Sequence, residues 1–128
     1  MKRHSFILMM ALLVWACAPV KKSTETTLKF IPAGNDSTEY EIIIIDPNFD
    51  LWYQTSYSPA KDYSNEYYRG KNHFAVVSWN EYYRSGRHTR VVDCYIEYES
   101  GVDYGIDVNR KLYWYFKFVE EKYRLRLF

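Results

Sequence analysis

The sequence predicts a small α+β fold, in which a short sheet is packed by about three helices within one domain. Three observations carry this. The run 39–46, EYEIIIID, is β-branched and short. Residues 91–98 alternate, with Val92, Cys94, Ile96 and Tyr98 apolar and Asp93, Tyr95 and Glu97 between them. Apolar residues recur at helical spacing in three further stretches, 47–57, 64–84 and 106–123.

Ahead of the fold, residues 6–16 form an apolar run, FILMMALLVWA, preceded by Lys2, Arg3 and His4 and closed by Cys17. A basic start, a short apolar core and a small residue before the break make a secretory signal. A permanent membrane helix needs about 20 apolar residues, and this run is shorter. Its end, Val14-Trp15-Ala16-Cys17, resembles the lipobox of bacterial lipoproteins, with Trp15 atypical. The resemblance implies a signal peptide over 1–16 and a mature chain that starts at Cys17, acylated on its sulfur and amine. The alternatives are an ordinary signal cut elsewhere and a buried N-terminal helix, which would not need Lys2 and Arg3 at its start.

Residues 17–38 read as the lipidated cysteine and a flexible tether, because Lys, Ser, Thr, Pro and Gly dominate and only Leu28-Lys29-Phe30-Ile31 has the makings of a strand. Lipoproteins of Bacteroidota sent to the outer face usually carry acids after the cysteine. Here Ala18-Pro19-Val20-Lys21-Lys22 follows, so a periplasm-facing anchor on the outer membrane is expected. Asp36-Ser37-Thr38 resembles the O-glycosylation motif of that phylum and makes Ser37 a candidate acceptor; a plain solvated loop fits as well.

The domain proper is expected over 39–128. The four isoleucines at 42–45 suit a strand buried on both faces, paired with 91–98. Asp46-Pro47 starts a helix: the aspartate caps free N–H groups and proline fits the first turn. Phe49, Trp52 and Tyr53 then fall on one face. The second helix carries Tyr68, Ala75, Trp79 and Tyr82/Tyr83 as a stripe, with Gly70 a candidate break and Ser85-Gly86 a stop. In the third, Val108, Leu112, Tyr115/Phe116, Val119 and Tyr123 recur at helical spacing. A hairpin through 119–122 is the alternative, since LYWYFKF and YRLRLF also tolerate strand geometry.

Composition narrows the function. Removing Lys2 and Arg3 with the signal leaves 15 basic against 16 acidic residues, a formal charge of −1. That balance argues against a nucleic-acid binder and against a polybasic membrane clamp. With Cys17 acylated, Cys94 has no partner, and a buried small hydrophobe is its expected role. Aromatic residues make up 20% of the chain, 14 of them tyrosine. Tyrosine can fill a small core with its ring while its hydroxyl reaches water, or offer its face to a sugar. Tyr57, Tyr63 and Tyr67 flank the 58–62 loop off the helical stripes and are the candidate ligand-binding rings.

No catalytic signature is present: the chain has no Gly-rich phosphate loop, Gly-x-Ser-x-Gly elbow, Cys-x-x-Cys or His-Glu-x-x-His. His73 and His88 lack metal-ligand spacing to Cys94, so no metal or cofactor is expected. Asp93, Glu97, Glu99, Asp103 and Asp107 are dense enough for a calcium site or a carboxylate pair, but they lack EF-hand order and read as a solvated face. The basic loop 84–90 reads the same way.

The pieces YEIIIIDPNFDLWYQ, SWNEYY and YIEYESGVDYGIDVNRKLYWYFKF resemble a family of short uncharacterised lipoproteins of Bacteroidota, over roughly 39–120. The resemblance implies the compartment and a compact domain, and it assigns no catalytic residue. The leading expectation is a non-catalytic structural or adaptor lipoprotein that meets another envelope protein. A glycan-binding module using exposed aromatics stands second and a carboxylate-based hydrolase third.

Overall fold

The computed structural model describes residues 28–32 and 40–128. Cys17 and Ser37 lie outside the described residues. Strand β1 (Leu28–Pro32) pairs antiparallel with β2 (Tyr40–Ile44), and three helices follow: α1 (Pro47–Ser56), α2 (Asn65–Arg84) and α3 (Ile106–Tyr123). The fold is the α+β domain that the sequence predicts. Its sheet partner differs.

The expected partner of 39–46 is 91–98, but among the described residues the sheet is β1 and β2, with Leu28 opposite Ile44 and Phe30 opposite Ile42. The folded unit therefore takes in 28–32 from the stretch expected to be tether. The isoleucines are also not buried on both faces. Ile42 is buried and Ile44 packs on the core, whereas Ile43 is half-buried and Ile45 exposed. A two-stranded ribbon has one face to give to a core, so the run alternates like any half-buried strand.

Residues 92–98 keep the predicted alternation of burial without joining a ladder: Val92, Cys94, Ile96 and Tyr98 are buried, and Tyr95 and Glu97 are exposed. Helix side chains bond the backbone groups of Ile96 and the carbonyl of Cys94. Asn80 on α2 accepts from Ile96 N–H through Oδ1 at 2.9 Å and donates through Nδ2 to Ile96 C=O, also at 2.9 Å. Trp79 Nε1 donates to Cys94 C=O at 2.8 Å. A single asparagine amide thus stands where a neighbouring strand's peptide would be.

The helices start and stop where the local chemistry says. Asp46 Oδ1 accepts from Asn48 N–H at 2.9 Å with Pro47 at the first position of α1. Ser64 Oγ accepts from Tyr67 N–H at 3.1 Å and opens α2, which runs through Gly70 without a break. Gly86, at φ +65°, closes it with N–H bonds from Gly86 and Arg87 to the carbonyls of Tyr83 and Tyr82. Helix α3 is one continuous element, not a hairpin, and ends at Arg124 in the left-handed region, φ +56°. The chain then folds back: the N–H groups of Leu127 and Phe128 both donate to Glu120 Oε1, and Leu125 and Leu127 enter the core.

Helix α3 is the axis of the domain. Leu112, Tyr115, Phe116, Phe118 and Val119 face the main core with Phe49, Trp79, Val92 and Ile96. Tyr113 and Trp114 face a second cluster with Tyr68, edged by Trp52, Tyr53 and Tyr57. Burying apolar area on both flanks needs more than one stripe, which explains the density of rings in this helix.

Candidate docking surface

Two surfaces gather groups that the core does not consume. The first is the tyrosine cluster beside the 58–63 loop. Asp62 is its hub: Oδ1 accepts from the Tyr68 hydroxyl at 2.6 Å, and both carboxylate oxygens take the Arg110 guanidinium at 2.8–2.9 Å. Arg110 also binds Asp107 at 2.6 Å and lies 5.8 Å from the centre of the Tyr57 ring. This fork clamps the loop to α3. The Arg110 guanidinium and the Tyr68 hydroxyl hold the Asp62 carboxyl down at about 2, and burial with that carboxylate beside it pushes the Tyr68 hydroxyl up.

A folded-state value below the ordinary 3.8 means the clamp contributes its full stability above about pH 4 and loses it as pH falls toward 2. The stability of the wild-type domain, followed by denaturant melts, should therefore drop more steeply between pH 4 and pH 2 than that of Asp62→Asn. Parallel curves would mean that Arg110 gains nothing from the charge.

The structure brings two of the three candidate rings together. Tyr63 and Tyr67 stack with centroids 4.2 Å apart, 44% and 37% exposed. Tyr67 also carries Lys71 Nζ 5.7 Å from its centre, and Tyr63 meets the edges of Tyr68 and Tyr113. Tyr57 stands apart, half-buried and stacked on Tyr53 at 5.1 Å. These rings lean chiefly on one another.

The second surface runs along the outer face of α2 and the extended segment beside it. Phe74 is 67% and Val77 57% exposed, three residues apart on one helix face. Tyr95, 48% exposed, meets the edge of Tyr83 and carries the Arg84 guanidinium 5.8 Å from its centre. Between Val77 and Tyr95 lies a groove of about 480 Å³, floored by Val76, Asn80, Ile96 and Tyr98, with His73 and Glu97 on its rim. On the far side of the same segment, a cleft of about 310 Å³ separates 95–97 from 28–31 of β1.

Cys94, Asp103 and the two histidines are engaged within the fold. Cys94 is buried, burial pushes its thiol up to about 11, and Sγ lies 3.9 Å from Leu28 C=O. Asp103 accepts from Gly105 N–H, and His73 and His88 pack on Phe74 and Tyr82. Among the described residues no group of three His, Cys, Asp or Glu is placed to hold a metal ion, and no helix is long and apolar enough to cross a membrane.

Sequence reasoning passes over the asparagines and the Asp62–Arg110 pair. Asn72, Asn80 and Asn109 are buried inside helices; Asn72 donates to Asn109 C=O, and Tyr98 donates to Asn109 Oδ1. Their signal was available: asparagine is a poor helix former, so three of them within apolar helical stripes mark polar duties.

The chain belongs to a family of unknown function (DUF6146), whose profile matches residues 5–128. The match takes in the apolar run at 6–16 and Cys17. No curated protein and no solved structure matches the chain.

Proposed function

We propose that the chain is a lipid-anchored envelope protein, held on the outer membrane by acylated Cys17 and facing the periplasm, whose domain acts as a non-catalytic adaptor for another envelope protein. The observation that carries the adaptor role is the apolar groove walled by exposed Val77 and Tyr95 and rimmed by His73, Arg84 and Glu97, with exposed Phe74 one helical turn from Val77. An apolar centre with a charged rim is the composition of a protein–protein contact, and a small domain with a −1 formal charge gains little by leaving such a surface to water. The short tether puts that surface near the membrane without spending any of the domain's own face on lipid.

A glycan-binding role is the second reading, supported by the exposure of Tyr63 and Tyr67. It is weaker because each ring already has a stacked or cationic neighbour. Each stacked ring contributes on the order of 1 kcal/mol, so two shared rings would give millimolar affinity at best.

The anchor is tested by metabolic labelling with a fatty-acid probe. Wild-type protein should take up label, and Cys17→Ser should lose it and remain unprocessed or soluble. Each buried methylene contributes about 0.8 kcal/mol, so two or more acyl chains hold a protein essentially permanently. Equal labelling of the two proteins would sink the anchor.

A further inference from the structure

We infer that the cleft between β1 and 95–97 receives an extended peptide of the partner protein, which adds as a third strand to the β1–β2 sheet. This rests on the adaptor reading and names how the partner is held. The observation is a pair of facing backbone edges. In an extended chain, successive residues direct their N–H and C=O groups to opposite sides. Ile96 turns both of its groups to Asn80 on α2. Tyr95 and Glu97 therefore turn theirs the other way, toward β1, and among the described residues none of these four groups has a hydrogen-bond partner.

The opposite wall is built the same way. Among the described residues β1 pairs with β2 alone, so its other edge presents peptide groups outside any ladder, with Leu28 C=O taking the Cys94 Sγ contact at one end. That edge, at 28–31, lines the cleft across from 95–97. Two parallel rows of alternating donors and acceptors match an extended backbone and little else; a sugar or a lipid headgroup does not repeat at that spacing.

The cleft also selects side chains. Its floor is apolar, made by Leu28 and Ile96, both buried. Lys29 stands exposed on one wall and Glu97 on the other. The occupant is thus a strand with small apolar residues facing inward and paired opposite charges facing outward. Cys94 Sγ, 3.9 Å from Leu28 C=O, marks one end of the cleft.

The test is selection of displayed random decapeptides, in parallel, on the detergent-solubilised full chain and on its Glu97→Pro variant. Proline at 97 deletes an N–H that has no acceptor among the described residues and keeps Ile96 out of the helical region, and Glu97→Gln, selected in parallel, separates the loss of the carboxylate from the loss of the N–H. Peptides enriched on the wild type and not on the variant are expected. A synthetic copy of an enriched peptide should slow amide exchange at Tyr95 and Glu97 by about tenfold or more at saturation. The same peptide N-methylated at alternate residues should not, and this second readout uses the unaltered protein if Glu97→Pro fails to fold. Equal enrichment on both proteins with unchanged exchange at Tyr95 and Glu97, or protection that survives N-methylation, would overturn the proposal. A partner that crosslinks to the α2 face while these amides exchange freely would leave the adaptor reading standing and remove the strand alone.

Discussion

Asn80→Leu should destabilise the domain by roughly 2–6 kcal/mol, because it leaves two buried backbone groups of Ile96 without partners at about 1–3 kcal/mol each. Leucine matches asparagine in size, so the loss reads the hydrogen bonds rather than a cavity. The asparagine is 4% exposed and its amide makes both bonds at 2.9 Å, so water has no ready route to replace it. Denaturant melts give the magnitude. Exchange of the Ile96 amide gives the mechanism, since its protection should vanish in the variant before that of α3. A variant within 0.5 kcal/mol of wild type would mean that 92–98 is held by its side chains alone.

Phe49→Ala should cost about 3–5 kcal/mol, the range for removing a fully buried ring. Phe49 is completely buried and touches four rings: Trp52 and Tyr53 on its own helix, Tyr115 and Phe118 on α3, at 5.4–6.5 Å between centroids. It is the residue through which α1 grips the central helix. Leu51, two positions on and 68% exposed, supplies the control: Leu51→Ala should stay within about 0.5 kcal/mol. Comparable losses for both would show that α1 is packed by another face than Phe49, Trp52 and Tyr53.

How far the sequence carries depends on the range of the physics involved. The helices were legible because their signals are local. Asp46-Pro47 and Ser64 cap within three residues, and the stripe from Val108 to Val119 is a matter of spacing alone. The inward set of 92–98 was legible for the same reason. Its partner was not, since alternation fixes where side chains point and says nothing of who bonds the peptide groups. The answer lay in Asn80 and Trp79, which sit sixteen and fifteen residues before the groups they bond. The aromatic candidates divide in the same way. That Tyr63 and Tyr67 lie off the helical stripes was readable; that Asp62 would clamp their loop to Arg110, 48 residues away, was not.

The central claim, that the α2 side of the domain is where a partner docks, is tested most directly by site-specific photo-crosslinking in intact envelopes. A photoreactive residue would be placed at Phe74, Val77 or Tyr95, and at Leu51 as an equally exposed reference on α1. Covalent adducts of one defined mass from the first three positions, and none from Leu51, are expected. Adducts from Leu51 alone, or none from Phe74, Val77 and Tyr95 in cells where the protein is lipidated and folded, would contradict the account.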